Sequence, residues 1–387
     1  VAINIDPEIL IVDEALSVGD VFFQAKCYRK FEEFKQEGKT ILFVSHDLGS
    51  ISKYCDRVVL LNRGKKLADQ IGSHAMYIQW VNRVCEHVKS LGKRPMFWGD
   101  IIAAHPETIR ELPEDIICMT WDYSLAPGDT NVRKLWENGA HQYLCPGVQG
   151  WNQTIHLLDI AYENIKKMAS FAHQFDGEGL LTTDWGDYGH LQHPELALVG
   201  IIYGAAFGWN SKIPEREEIN ADISVIEYGD RSATLIEIIS EMSNQAVMHW
   251  GELVQFSETY RYQIAGKDMD TFWKGYLPRI ETSLPHIVEC NETIRNDMAK
   301  VAALLVQIED DRREGIAPVL HMAEGQILIN TILRVLDREY LGHPDAYTGD
   351  TKALAEALEI WYYEYRRQWH KISRESELYR IGELIFW

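Results

Sequence analysis

Adjacent carboxylates at the end of an apolar run are the first residues in this chain equipped for chemistry. In "ILIVDEALSVGD" (9–20) the run 9–12 ends in Asp13 and Glu14. Such a pair can hold Mg²⁺ and activate water for phosphoryl transfer, or it can orient a substrate amide and protonate a leaving group. His46 follows thirty-two residues after Glu14, in "VSHDL" at the end of a second apolar run. A second set of residues lies further on: Trp98 and Asp100; Trp121, Asp122 and Tyr123; Trp151 in "CPGVQGWN"; Asp184, Trp185 and Asp187 in "TDWGDYGH". Each group closes or follows a strand-like run. Flat rings cover the apolar face of a pyranose, and carboxylates accept hydrogen bonds from its hydroxyls.

The elements that must position these residues read as strand–helix alternation. "EILIVD" (8–13) and "KTILFVS" (39–45) are strands; a helix at 21–38 ends at Gly38, and 57–65 reads as a hairpin strand. Residues 67–215 repeat strand then helix four times, with strands at 95–102, 115–123, 141–147 and 179–187 and helices near 74–91, 105–111, 129–138 and 155–174. That alternation implies a parallel sheet or barrel segment. From 216 to 387 apolar residues recur at helical spacing, as in 233–250 and 353–369, and the charge run 309–315 reads as a solvated helix end.

Composition narrows the class. The 387 residues allow two or three domains. A formal net charge of −20 argues against nucleic acid or an anionic membrane as main partner. The six cysteines are scattered without a CxxC pair, which suggests reduced thiols, no metal cluster and a cytoplasmic protein. No signal peptide and no apolar run near eighteen residues is visible, so no membrane span is expected. Val1 stands directly before a strand-like run, which reads as an incomplete N-terminus.

"DPEILIVDEALSVGD…GKTILFVSHDL…CDRVVLLNRGK" resembles the second half of an ABC-transporter ATP-binding domain, of the type that exports surface polysaccharide; the likeness covers about residues 1–66. The resemblance implies that Asp13 holds Mg²⁺ as the Walker B aspartate, that Glu14 polarises the attacking water, that "SVGD" is the D-loop and that His46 senses the γ-phosphate. Mg-ATP and a transporter permease would then be cofactor and partner. No GxxxxGK[ST] loop is present to wrap the phosphates: "GKT" (38–40) has Glu33 at the required glycine and precedes a strand. The LSGGQ-like signature is absent too. ATP hydrolysis by these residues alone is not expected.

"GKRPMFWGDIIAAHPETIRELPEDII", "CPGVQGWN" and "GLLTTDWGDYGH" resemble glycoside hydrolase family 20, the β-N-acetylhexosaminidases, from about residue 64 onward. This resemblance implies the last four βα units of a (β/α)₈ barrel, with the aromatic residues on its C-terminal face. Trp98, Trp151 and Trp185 would line the N-acetyl sugar pocket. Tyr123 would bond the acetamido oxygen, and Asp187 would take hydroxyls. Asp100, Trp121 and Asp184 complete the substrate-binding set. Family chemistry is substrate-assisted and needs no cofactor, but it requires an Asp-Glu pair after the fourth barrel strand. Asp13–Glu14 stand too far upstream to serve, with Glu14 fifty residues before Gly64.

The expected organisation is therefore an ATPase-like fragment at 1–66, a half barrel at 67–215 and a helical domain at 216–387, joined near "RGKKLAD" (63–69) by recombination or by an assembly artefact. The leading expectation is a family 20-like protein acting on an N-acetylhexosamine glycan, incomplete and weakly active or inactive. The alternatives are a polysaccharide-exporter ATPase fragment and a non-catalytic sugar-binding fragment. Half a barrel also leaves open sheet edges.

Overall fold

The computed structural model describes residues 9–13, 33–44, 69–189, 191–210, 212–262, 268–374 and 378–387. Glu14, His46 and the 57–65 hairpin lie outside them. The chain divides into two compact units, Val1–Trp80 and Val81–Trp387.

In the first unit, β1 (Ile9–Asp13) and β2 (Thr40–Val44) pair in parallel, with Ile9 opposite Thr40 and Asp13 opposite Val44. The helical turn at 33–36 ends where the sequence places its stop. Gly38 adopts φ +76°, and the Lys39 N–H returns to the Phe34 carbonyl at 2.9 Å. A left-handed residue satisfies the last carbonyls of a helix, and glycine adopts that conformation without steric cost.

Helix α1 (Ser73–Ser90) spans the division between the units. In the second unit, β3 (Met96–Trp98), β4 (Ile117–Trp121), β5 (His141–Cys145) and β6 (Gly179–Leu180) form one parallel sheet in chain order. The protein is a mixed α/β molecule; among the described residues this sheet is open and four-stranded, and no closed barrel is present. Its strands are shorter than the sequence suggests. The fourth shrinks from 179–187 to two residues, with a further bridge at Thr183 opposite Gly147. The helix expected at 105–111 is a 3₁₀ turn, Pro106–Glu111. Proline at the first position suits such a start, because it brings no N–H that needs a partner.

Helices α2 (Thr130–Glu137) and α3 (Leu158–Gln174) cross between strands. Thr120 and Gln142 are both buried and bond to each other at 2.8 Å, and Gln142 also reaches the Val132 carbonyl at 3.0 Å. At the opposite edge, Arg94 and Glu178 form a two-pronged pair at 2.6 and 2.9 Å.

The remaining chain is helical: α4 (Leu198–Trp209), α5 (Arg216–Ile226), α6 (Leu235–Ser243), α7 (Trp250–Tyr262), α8 (Met269–Ile280), α9 (Ile287–Leu305), α10 (Asp310–Ile316), α11 (Pro318–Leu336), α12 (Thr351–Ile372) and α13 (Leu378–Ile385). One apolar core runs from Ile155 to Ile381. The helical pattern at 233–250 breaks into α6 and α7. Asn330 captures the break: its Oδ1 accepts from the Val247 N–H at 3.1 Å, and its Nδ2 donates to the Gln245 carbonyl at 3.0 Å.

The stretch Asp310–Leu341 is long and apolar enough to cross a membrane by length and composition, contrary to the expectation of no such run. Over half of its apolar window is buried. Gln326 and Asn330 on it are buried and bonded to each other at 3.0 Å, as suits a core helix.

Candidate functional site

Because the four strands are parallel and in chain order, each following loop leaves the same edge of the sheet. Trp98 ends β3 and Trp121 ends β4. Trp151 follows β5, and Trp185 follows β6. The loops bring the aromatic residues into one cluster. Tyr123 is its hub: its ring lies 5.0 Å from Trp121, stacked, and 4.9 Å from Trp151. Its hydroxyl accepts from Trp185 Nε1 at 2.8 Å. Trp98 and Trp185 ring centroids are 5.5 Å apart. Trp185 and Trp121 remain 37% and 42% exposed, so the cluster presents aromatic surface to solvent instead of being sealed core.

Glycines in "CPGVQGWN" make this packing possible. A Cβ on Gly147 would run into the Trp151 indole, and one on Gly150 into the His156 imidazole. Gln149 and Asn152 both sit at positive φ, 60° and 63°. Non-glycine residues there carry strain that surrounding bonds must offset. Gln149 donates to the Tyr123 carbonyl at 2.8 Å, and its own carbonyl accepts from the Leu157 N–H at 3.1 Å.

Three residues that sequence reasoning missed hold the loops. Asn164, fully buried on α3, accepts from the Gly147 N–H at 3.0 Å and donates to the carbonyls of Asp122 and Ser124, each at 2.8 Å. Its signal was a polar residue on the apolar stripe Ala161, Ile165, Met168. Gln192, also fully buried, donates to the Trp185 carbonyl at 2.6 Å. Trp250, at the start of α7, donates to the Tyr188 carbonyl at 2.9 Å. The helical region thereby fixes the loop that carries Trp185.

The predicted carboxylates separate into different environments. Asp122 turns back to cap its own loop, accepting from the Ser124 N–H and hydroxyl at 2.9 and 2.7 Å. Asp100 is exposed in a single helical turn. Asp187 is exposed and lies near enough to Tyr123 to disfavour its phenolate. Burial pushes the Asp184 carboxyl up to about 6, against a smaller opposing contribution from Gln192. Its Oδ1 stands 3.9 Å from Nε2 of His156, a residue only 1% exposed. Burial likewise raises the Tyr123 phenol, which stays protonated and able to donate. Asp13 is the last residue of β1, and the chain continues from it into Glu14; Val44 ends β2 two residues before His46. Among the described residues no group of three His, Cys, Asp or Glu is placed to hold a metal.

A segment of the chain is similar to ATP-binding proteins of ABC transporters. Over 67 residues it is 55% identical to the ABC transporter protein AbcA of Aeromonas salmonicida, covering 17% of this chain and 22% of that protein. Over 88 residues it is 39% identical to the teichoic acids export ATP-binding protein TagH of Listeria innocua, covering 21% and 26%. The O-antigen export system ATP-binding protein RfbB of Klebsiella pneumoniae matches at 46% over 76 residues, or 20% and 30%. The chain thus spans less than a third of the length of these relatives. No protein-family model matches the chain. The comparisons support the ABC part of the sequence reading and give the glycoside hydrolase family 20 reading no support, so the leading expectation yields to its first alternative.

Proposed function

We propose that residues 1–66 are the hydrolysis-side portion of an ATP-binding subunit from an ABC exporter of surface polysaccharide. The observation that carries this reading is the parallel register of β1 and β2, with Asp13 opposite Val44. Both strands end level, at Asp13 and Val44, and in the sequence Glu14 follows the first end by one residue and His46 the second by two. Asp13 would hold Mg²⁺ and Glu14 would polarise water. His46 would bond the γ-phosphate. The relatives' names supply the transport class: teichoic acid export and O-antigen export. Mg-ATP, a membrane permease and a position on the cytoplasmic side belong to the same reading. The phosphate-wrapping loop is not among these 387 residues.

The test is a hybrid in which the P-loop-bearing portion of the Aeromonas relative precedes Val1. The hybrid hydrolyses ATP, and Glu14→Gln lowers kcat by about a hundredfold or more while ATP still binds. A hybrid that binds ATP and turns over equally well with Glu14→Gln and with His46→Ala removes both residues from the mechanism.

A second reading is favoured by one specific observation, the Trp98–Tyr123–Trp151–Trp185 cluster at one sheet edge. Under it the second unit binds an N-acetylhexosamine without turning it over, since the described residues offer no Asp-Glu pair at this cluster. Titration with N-acetylglucosamine gives a Kd on the order of millimolar, weakened at least about tenfold by Trp185→Ala. Hydrolysis of an aryl N-acetyl-β-glucosaminide would make the unit a glycosidase, and unchanged affinity in Trp185→Ala would leave the cluster without a ligand.

A further inference from the structure

One face of the second unit's sheet is packed under helices. Gln142 on β5 bonds the Val132 carbonyl, and Leu144 packs with Val132, Met168 and Phe171. Strand side chains alternate, and partners in register share a face. Tyr143, opposite Met119 and Gly179, therefore lies on the other face, together with Met96 and Leu181. A Cβ on Gly179 would meet the Tyr143 ring at 3.0 Å, as that register requires. Met96 and Leu181 are 42% and 38% exposed. Parallel sheets occur almost only with both faces covered.

The same sheet ends in two edges, β3 and β6, that are unpaired among the described residues. Neither 95–99 nor 179–183 carries a charged residue, a common guard against edge pairing. The sheet also curls. Arg94 precedes β3 and Glu178 precedes β6, three strand spacings or about 14 Å apart in a flat sheet, yet their side chains pair at 2.6 Å. Four curled parallel strands are half of an eight-stranded barrel, a size whose interior is filled by side chains.

Each edge is flanked by a helix with an apolar outer side. Helix α4 lies over β6: a Cβ on Gly208 would sit 3.7 Å from Leu180, and the Tyr203 and Phe207 rings pack on Tyr162 of α3. Its outward residues Ile201, Ala205 and Trp209 recur every four positions, and Trp209 is 89% exposed. No charged residue interrupts the twelve of α4. A helix apolar all round belongs in a buried setting, and twelve residues are too few to span a bilayer. At the other edge α1 leads into β3, and Asn82 ties it to the β3–β4 connection by donating to the Glu111 carbonyl at 2.9 Å. Val84 on α1 and Leu91 just past its end are exposed, and seven positions place them on one side, about two helical turns apart.

We propose that a second copy of this chain covers this face, so that two half barrels close into one. A two-fold axis along the barrel sets β3 of each copy beside β6 of the other and makes eight parallel strands. It also sets α4 of each copy against α1 of the other, with Ile201 at the level of Val84 and Trp209 at the level of Leu91. One contact made twice thus removes both edges, both apolar helix sides and the exposed sheet face. Val84, Leu91, Met96, Leu181, Ile201 and Trp209 expose on the order of 700 Å² per copy, so covering them on both buries on the order of 1,400 Å², the size of a stable specific interface. The axis preserves strand direction, so the Trp98–Trp185 pairs of both copies come to the same end. The dimer stands whether or not that cluster takes a sugar.

Analytical ultracentrifugation of the full chain at micromolar concentration gives twice the monomer mass of 44.6 kDa. Leu91→Glu combined with Trp209→Glu, both at exposed positions, opposes like charges across each contact and raises the dimer Kd at least about a hundredfold, with unchanged far-ultraviolet circular dichroism. Val84→Cys combined with Ile201→Cys lets a short bismaleimide couple two chains. Ile201→Cys alone does not, because the two-fold holds the two α4 helices on opposite sides of the barrel; the unaltered chain controls for its own cysteines. A monomer in solution overturns the proposal, as does growth beyond dimers. A dimer indifferent to Leu91→Glu with Trp209→Glu, or one coupled by Ile201→Cys alone, overturns it as well.

Discussion

Trp185 Nε1 donates to the Tyr123 hydroxyl at 2.8 Å, which joins the loop after β6 to the loop after β4 across the intervening β5 loop. Two residues sixty-two positions apart thus set the width of the aromatic cluster. The bond also orients the phenol, because an oxygen that accepts from the indole can still donate its own proton.

Replacing Tyr123 with Phe keeps the ring contacts to Trp121 and Trp151 and removes the acceptor. Stability falls by about 1 kcal/mol, within the usual range for one hydrogen bond. Trp185 loses its orientation, and any N-acetylglucosamine affinity at the cluster falls with it. Chemical denaturation and titration of the same variant measure both effects; a stable variant with wild-type affinity would show the bond to be incidental.

Gly147→Ala and Gly150→Ala each force a methyl into a ring, Trp151 in the first case and His156 in the second. Overpacking of that kind costs about 1–3 kcal/mol. Thermal melts should show both variants lowered, whereas Gly128→Ala, with nothing near its Cβ, melts close to wild type.

Asp184 gives a pH signature. Its folded carboxyl holds a proton up to about 6, above the ordinary 3.8. Below the ordinary value both folded and unfolded chains are protonated and nothing is lost. Between there and about 6 the unfolded chain ionises first, so stability falls as pH rises through that window, and above it the penalty is constant. Asp184→Asn should match wild type at the acid end and melt higher at neutral pH. Melting curves that stay parallel across the window would assign the carboxyl an ordinary pKa.

Asn330 is the bond that breaks the α6–α7 pattern. Asn330→Leu leaves the Val247 N–H and the Gln245 carbonyl unpaired and costs about 1–3 kcal/mol for each buried orphan. Hydrogen exchange should speed at Val247 and Met248 before it does on α3.

Local physics was readable without coordinates. The two N-terminal strands, the stop at Gly38 and the four parallel strands in order followed from apolar runs bounded by turn residues. The helical character of 216–387 followed from its periodicity. The Asp13–Glu14 pair and His46 are expectations from the same pattern, and of these only Asp13 lies within the described residues. Strand lengths were not: β6 keeps only Gly179–Leu180, because pairing with β5 ends where the loops diverge to pack their tryptophans.

What the sequence by itself determined is which residue types arrive at the sheet edge, since parallel strands in chain order send every following loop the same way. Tertiary structure alone decided which of them meet. Asn164 pulls the β4 and β5 loops together, and Gln192 and Trp250 anchor the Trp185 loop from helices far along the chain. The cavity lined by Trp151 likewise needs α7 and α8, more than a hundred residues beyond the first tryptophan of the cluster. Contacts between residues so distant in sequence depend on packing and buried hydrogen bonds, which leave no periodic trace in the chain.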